Sequence, residues 1–179
     1  MTESNQPLSM NPKKFALWLF IGSVIMLFGA FSSAFIVSTS ERISQVIQLP
    51  DLLLYSTIVI VISSATMHIA YLSAKKDEIE RMRVALAATT ILGFLFLGLQ
   101  YLAWGNLVEQ DVYFTSNFVA GSFIYVLTGV QGLHIISAIL LLVFEIISAF
   151  RLKIHSKNLD QIEMCTTYWH FLGALWLYL

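Results

Sequence analysis

Charged residues and cysteine are scarce in this sequence. Only 12% of its 179 residues are charged, compared with about a quarter in soluble domains, and 58% are hydrophobic. The single cysteine, Cys165, excludes an internal disulfide and a cysteine cluster for zinc, copper or iron and sulfur, and we expect it to be buried. The net charge of −1 indicates no nucleic-acid partner. The composition predicts a membrane protein with several spans.

Common catalytic motifs are also missing. The sequence contains no Walker A motif, no Gly-x-Ser-x-Gly, no His-Glu-x-x-His and no paired cysteines. Its polar start contains Pro7 and Pro12, and it lacks the basic residues and apolar core of a cleaved signal. We therefore expect residues 1–13 to be a polar N-terminal tail.

Five apolar runs organise the rest of the chain, at approximately residues 15–37, 52–74, 84–107, 118–150 and 162–179. A helix rises ~1.5 Å per residue, so the first four runs can cross a hydrocarbon layer of ~30 Å and the last is near the lower limit. We expect the natural chain to continue a few residues beyond Leu179. The prediction is an all-α fold, in which residues 14–179 form one polytopic bundle of five transmembrane helices.

The distribution of lysine and arginine predicts the orientation of this bundle. If the N-terminus is cytoplasmic, nine of the ten basic residues lie on the cytoplasmic side, and only Arg42 lies opposite. We therefore expect a cytoplasmic N-terminus and a periplasmic or external C-terminus. Tyr101 and Trp104, near the end of the third run, fit an aromatic belt at the membrane interface. Trp176 and Tyr178 would anchor the last run at the outer interface only if the chain ended there, which is the less favoured alternative.

The fourth run carries its few polar side chains along one helical stripe. The stripe comprises His134, Ala138, Leu141 and Glu145, with Gln131 beside it. A bare polar group is costly in lipid, so we expect the stripe to face protein, with Glu145 snorkelling to the inner surface. The small residues Gly129 and Gly132 leave room for a neighbouring helix.

Polar stripes also run along the second and fifth runs. The second places Thr57, Ser64, His68 and Tyr71 on one side, which we expect to be buried. The fifth places Glu163, Thr166, Thr167, His170 and Ala174 on one side. This last stripe fits either a proton relay or a strip of hydrogen bonds between helices. The strip is favoured because no charged residue lies near the membrane midplane.

Two stretches near the end of the chain resemble signature segments of a known family. They are Thr128-Gly-Val-Gln-Gly-Leu-His134, and Glu163 with Tyr168-Trp-His-Phe171 and Leu175-Trp-Leu-Tyr-Leu179. Trp18-Leu-Phe-Ile-Gly-Ser23, and Leu99-Gln100 with Trp104, resemble earlier segments of the same family in the same order. The family is subunit III of haem-copper oxidases, and the resemblance is to its five-helix bacterial members.

The resemblance implies a non-catalytic membrane subunit of an oxygen-reducing, proton-pumping oxidase of the cytochrome c oxidase type. Such a subunit packs against catalytic subunit I and other oxidase subunits, binds phospholipids, and supports proton uptake and stability during aerobic respiration. It carries no redox centre or metal, because haem and copper belong to the partner subunits. The implied location is the bacterial inner (plasma) membrane.

The resemblance also implies residues that contact lipid or other subunits. They are Gln100, Trp104, Gly129, Gly132, His134, Glu163, Trp169, His170 and Trp176. No catalytic, cofactor-binding or metal-binding residue is expected. At Val24, Ala103 and Gly173 the chain lacks acids that the family commonly has. The packing and lipid role is therefore the part that we expect to carry over.

Other functions remain open at this point. A quinol oxidase subunit and a nitric-oxide-reductase-associated subunit are close alternatives, because other subunits bind the electron donor. An independent proton or small-solute transporter would use Glu163 and His170, although the chain shows no broken helices. A haem b protein would require His134 and His170 to face each other across a cavity.

Overall fold

The computed structural model describes residues 11–40, 51–109, 119–150 and 159–179. These residues form five α-helices: α1 (Pro12–Ser40), α2 (Asp51–Lys75), α3 (Ile79–Glu109), α4 (Val119–Phe150) and α5 (Asp160–Tyr178). Each helix overlaps one of the predicted apolar runs, and the all-helical fold class is confirmed. The predicted tail up to residue 10 lies outside the described residues. So do four basic residues used to predict the orientation, Arg42, Arg151, Lys153 and Lys157.

Four of the helices are long and apolar enough to cross a membrane. The qualifying stretches are Pro12–Ser38, Asp51–Lys75, Ile79–Glu109 and Gly121–Ala149, each of 25 to 31 residues. The fifth helix has 19 residues and includes Asp160, Gln161, Glu163 and His170, which lower its mean hydropathy. The multi-pass membrane character of the chain therefore rests on α1 to α4.

A three-residue link, Lys76 to Glu78, turns the chain back between α2 and α3. Asp77 adopts a positive φ of 55°, a left-handed conformation that Asp tolerates better than most residues. The Glu78 amide donates to the Ser73 carbonyl at 3.0 Å, which satisfies a free acceptor at the end of α2. This short link makes α2 and α3 antiparallel neighbours.

Helices α2, α3, α4 and α5 form a closed ring of four, in which each helix packs against the next and α5 packs against α2. Helix α1 lies outside this ring, against α4 and α5. The main core fills the ring, and Phe96 and Trp176 meet edge-to-face within it at 4.8 Å. A second, smaller cluster around Val24, Phe28 and Leu175 joins α1 to the ring.

Two helix faces that the sequence predicted to be buried are only partly buried. On α2, the buried face centres on Ser63, Met67 and Ala70, whereas His68 is exposed. On α4, Ala138 and Gln131 are buried as expected, but Leu141 is 47% exposed. Helical periodicity identifies residues that share a face, but the direction of that face depends on how the neighbouring helices are placed.

Candidate functional site

The seam between α2 and α5 contains three hydrogen bonds between side chains. The Trp176 indole nitrogen donates to Thr57 Oγ1 at 3.1 Å, and that of Trp169 donates to Ser63 Oγ at 3.2 Å. His170 Nδ1 and Ser64 Oγ share the third hydrogen bond. Trp169, His170 and Trp176, all predicted contact residues, therefore hold α5 against α2. Trp176 is buried in this seam.

The seam between α3 and α4 is built around Thr128. Gln100 Nε2 donates to the Thr128 carbonyl at 2.5 Å, and the Trp104 indole nitrogen donates to Thr128 Oγ1 at 3.0 Å. The glycines of α4 allow this approach. A Cβ atom on Gly132 would lie 3.7 Å from Gln100 Oε1, and one on Gly129 would lie 3.9 Å from the Trp104 ring. Trp104 therefore faces α4, in contrast to Tyr101, which is exposed.

Helices α4 and α5 are joined by a glutamine and a tyrosine. Gln131 Nε2 donates to the Leu172 carbonyl at 3.0 Å, and Ser137 Oγ lies 2.8 Å from the Tyr168 hydroxyl. Gln131 is fully buried, and its side-chain oxygen has no hydrogen-bond partner among the described residues. The side-chain oxygen of Gln100 is also buried without a hydrogen-bond partner among the described residues. The amide nitrogen of each glutamine is thus bonded, which is enough to fix the orientation of the side chain.

His134 and His170 have different neighbours. His134 Nδ1 donates to the Val130 carbonyl at 2.8 Å, and its ring packs against Phe20 and Phe28 at centroid distances of 6.1 and 6.0 Å. The His170 ring instead lies 5.9 Å from that of His68. These separate environments do not fit a haem held between His134 and His170. Among the described residues, no three or more His, Cys, Asp or Glu side chains are grouped to hold a metal ion.

Glu163 belongs to an ionic cluster that joins the first turns of α1 and α5. Lys14 Nζ lies 2.9 Å from Glu163 Oε2 and 2.9 Å from Asp160 Oδ1. Asn11 Nδ2 donates to the other Asp160 oxygen at 2.8 Å. The hydrogen bond from Lys14 holds the pKa of Asp160 below its ordinary value. We call these four residues the α1–α5 ionic cluster.

Glu145 is not placed as the sequence suggested. It is only 5% exposed, so the expectation that it snorkels to the surface is wrong. Its position on α4 faces the ring interior, where Cys165 is also buried, as expected. The physical reason is that the α4 stripe containing Ala138, Leu142 and Glu145 points towards α3 and α5.

Two apolar grooves open on the outside of the bundle. One, of about 530 Å³, lies between α2, α4 and α5 and is lined mainly by aliphatic side chains, including Leu53, Ile124 and Leu127. The other, of about 430 Å³, lies between α2 and α5, where His68, His170 and small residues such as Gly173 line it. Both grooves are open, and both have the composition of surfaces that contact lipid tails or partner helices.

Sequence reasoning missed several residues on which these contacts depend. Gly93 on α3 is packed so closely that a Cβ atom there would lie 2.9 Å from the Trp169 ring. Ser63 is a hydrogen-bond acceptor for Trp169 but lies in no distinctive motif, and Thr128 lies in a signature stretch without having been singled out as the acceptor for Trp104. Lys14 directly follows the predicted tail. Its positive charge was the only signal in the sequence that it could pair with the acids of α5. All four owe their importance to a residue on another helix.

The arrangement defines a multi-pass helical membrane protein whose polar side chains mostly hold one helix to another. Comparison with known proteins identifies the family of the chain. The family model described as "Cytochrome c oxidase subunit III" matches residues 5–179. The chain belongs to the cytochrome c oxidase subunit III family, and the resemblance found in the sequence is confirmed.

Individual relatives carry two kinds of name. A "Probable quinol oxidase subunit 3" of Staphylococcus saprophyticus is 25% identical over 175 residues, covering 94% of this chain and 86% of that protein. A "Cytochrome c oxidase subunit 3" of Bacillus sp. strain PS3 is 24% identical over 182 residues, covering 99% and 87%. A protein of the same name from Alkalihalophilus pseudofirmus is 24% identical, covering 93% of this chain and 83% of that protein. The percentage of identical residues therefore does not distinguish similarity to a quinol oxidase subunit from similarity to a cytochrome c oxidase subunit.

Proposed function

We propose that this chain is an accessory subunit of a haem-copper terminal oxidase, bound to the catalytic subunit. The observation that carries the proposal is the family match over residues 5–179, which includes all five helices. In this proposal haem and copper are held by partner subunits. The chain contributes to assembly, to lipid contact and to proton uptake and stability during turnover.

The contacts of the predicted residues support a packing role. Gln100, Trp104, Trp169, His170 and Trp176 each bond to a neighbouring helix of the same chain. Such bonds contribute about 0.6–2 kcal/mol each in a membrane, so together they make a rigid bundle. A rigid bundle presents a defined outer surface to a larger complex.

We further propose that the outer surface of α1 and the two apolar grooves contact lipid and the catalytic subunit. Helix α1 packs on the ring with one side only, and large apolar side chains such as Trp18, Ile25 and Met26 are exposed. The groove lined by Leu53 and Ile124 is wide enough for acyl chains. Lipid analysis of the purified oxidase, with and without this chain, tests this part of the proposal.

Purification of the native complex tests the assignment. With an affinity tag on this chain, we expect a haem-copper catalytic subunit to co-purify, with the Soret absorbance and copper content of an oxidase. Recovery of the chain without such a partner would contradict the proposal. Oxygen uptake with reduced cytochrome c or with a quinol then identifies the electron donor. Consumption of nitric oxide in place of oxygen would indicate the nitric-oxide-reductase-associated subunit.

The isolated chain tests the other classes of function. Reconstituted alone in vesicles, it is expected to move no protons or small solutes, because its polar groups bond between helices. Proton flux that disappears in a His170→Leu variant would favour the transporter instead. The isolated chain is likewise expected to show no Soret band, and a stoichiometric Soret band would favour the haem b protein.

We propose that α5 is a fifth span and that the N-terminus is cytoplasmic, as the distribution of basic residues predicts. At ~1.5 Å per residue the 19 residues of α5 extend about 28 Å, close to the hydrocarbon thickness. Reporter fusions in the bacterial inner membrane check this. A fluorescent reporter after Lys75 should be active in the cytoplasm, and a phosphatase after Leu179 should be active outside. An inactive phosphatase after Leu179, together with an active fluorescent reporter after Lys75, would refute the five-span topology.

A further inference from the structure

A third groove, which we call the link groove, opens beside the link between α2 and α3. It has a volume of about 300 Å³ and is open to the outside of the bundle. Its lining residues are Ile69, Leu72, Ser73, Lys76, Glu78 and Arg81. Both helices are long and apolar enough to cross a membrane, so the link between them lies where the hydrocarbon layer meets the aqueous phase. The link groove is therefore at the level of lipid headgroups.

One side of the link groove changes from apolar to cationic along α2. Ile69, Leu72 and Lys76 follow one another at spacings of three and four residues, so they share one face of the helix. Ile69 is 53% exposed and Leu72 is 43% exposed, and Lys76 is exposed as well. The helix rises ~10 Å between Ile69 and Lys76. This face therefore offers a short apolar surface that ends in a positive charge.

The other side of the link groove carries an exposed ion pair. Arg81, in the first turn of α3, lies 2.9 Å from Glu78 Oε2, and its side chain is 77% exposed. Ion pairs between exposed side chains are weak, because water screens the charges and the long side chains lose freedom. Arg81 can therefore exchange Glu78 for another anion with little loss of stability. Two cations and one acid line the groove, so a bound anion is favoured there.

We propose that the link groove binds an anionic phospholipid, whose phosphate contacts Lys76 and Arg81 and whose acyl chains lie against Ile69 and Leu72. Basic pockets between membrane helices bind anionic headgroups because the cations attract the phosphate. A free phosphate ion has the same charge chemistry, but it would leave the exposed apolar residues uncovered, so the groove favours a lipid.

The two larger grooves differ in this respect. Neither has a lysine or arginine among its described lining residues. They are suited to acyl chains or to partner helices, whereas the link groove combines an apolar surface with two bases. The proposal does not depend on the oxidase assignment, because it concerns only this chain and the lipid.

Lipid retention by the purified full chain tests the proposal. The chain in detergent is incubated with equal amounts of phosphatidylglycerol and phosphatidylcholine that have the same acyl chains, and the bound lipids are counted by native mass spectrometry. A base near an anionic lipid surface strengthens binding about fivefold, so we expect phosphatidylglycerol to be enriched by about this factor or more. Equal retention of the two lipids would overturn the proposal.

Charge variants locate the site. Lys76→Gln should lower the enrichment about fivefold. Glu78→Gln should raise it, because the acid that competes with the phosphate for Arg81 is removed. Lys13→Gln is the matched control, because it removes an exposed base from α1, which packs against α4 and α5. Equal enrichment in Lys76→Gln and Lys13→Gln would overturn the site. If Lys76→Gln does not fold, the result for Glu78→Gln decides, and an unchanged or lower enrichment would overturn the proposal.

Two further measurements separate the lipid from other anionic occupants. Excess inorganic phosphate, compared with chloride at equal ionic strength, should leave phosphatidylglycerol bound, because phosphate gains nothing from Ile69 and Leu72. Displacement by phosphate alone would indicate a site for a free anion and overturn the proposal. An acidic segment of a partner subunit is the other occupant. In that case Lys76→Gln would lower retention of this chain in the purified oxidase and leave lipid enrichment in the isolated chain unchanged, which would also overturn the proposal.

Discussion

At the scale of single residues, the closest helix contact depends on the absence of a side chain at Gly93. A Cβ atom there would lie 2.9 Å from Trp169 Cη2 and 3.2 Å from Ile139 Cγ1. Trp169 is 1% exposed and its indole nitrogen is bonded to Ser63, so its ring has little freedom to move. Gly93 therefore allows α3, α4 and α5 to converge on one tryptophan.

Substitution of Gly93 should destabilise the folded chain. We expect Gly93→Ala to lower the free energy of unfolding by about 1–3 kcal/mol, because added volume in a tightly packed site forces side chains or helices apart. The measurement is denaturant or thermal unfolding of the chain in detergent. Gly98→Ala is the control on the same helix, because no atom lies within 4 Å of the added Cβ. Equal destabilisation by both substitutions would contradict this explanation.

At the scale of helices, α1 differs from the others because it lies outside the ring. Its contacts with the ring include the small cluster around Val24 and Phe28, aromatic contacts with His134, Tyr168 and Phe123, and the α1–α5 ionic cluster. A Cβ atom added at either glycine in the middle of α1 would meet no atom within 4 Å, so this helix makes no close glycine contact with the ring. The ionic cluster is the polar contact that ties the first turn of α1 to α5 in the described residues.

The ionic cluster should depend on Lys14 and on pH. Because Lys14 lowers the pKa of Asp160, the cluster contributes stability above the ordinary Asp pKa and loses it as pH falls through the lowered value. In Lys14→Gln we expect the Asp160 pKa to return towards its ordinary value and amide exchange in the first turn of α1 to accelerate. Carboxyl NMR titration and hydrogen exchange measure these effects. Lys13→Gln is the matched control, with a smaller expected shift.

At the scale of the whole molecule, the ring closes through the seam between α2 and α5. This seam joins residues about a hundred positions apart, and its bonds are those of Trp169, His170 and Trp176. Without the seam, α2 would be linked to the rest of the bundle mainly through α3. Its closure is therefore expected to affect the shape that the chain presents to the oxidase.

Disruption of the seam between α2 and α5 should weaken the attachment of this chain to the oxidase without changing the metal centres of the partner subunit. We expect His170→Leu to reduce the amount of this chain retained in the purified oxidase several-fold, and Ser64→Ala to act in the same direction, because both remove the same bond. The haem spectrum should stay unchanged. Ser33→Ala, at an exposed position on α1, is the control. An altered haem spectrum with the chain still bound would contradict a packing role for His170.

Much of the helical architecture was predictable because it depends on local properties. Long runs of apolar residues form helices in lipid whatever their partners, since the backbone must satisfy its own hydrogen bonds there. The close approach at Gly129 and Gly132 was predictable for a similar reason, because small residues allow it. The bonds of Trp104 and Trp176 to neighbouring helices were not predictable. Aromatic residues near helix ends suit both an interface and a helix seam, and sequence position does not distinguish these environments.

The sequence by itself determined the membrane class, the five helices and the family. Each of these follows from composition, run length or an ordered set of motifs. Only the tertiary structure decided which polar groups meet. Lys14 and Glu163 are 149 positions apart, and the burial of Glu145 depends on where α3 and α5 lie. The physical reason is that a helix specifies which of its residues share a face, whereas its neighbours decide whether that face meets lipid, water or protein.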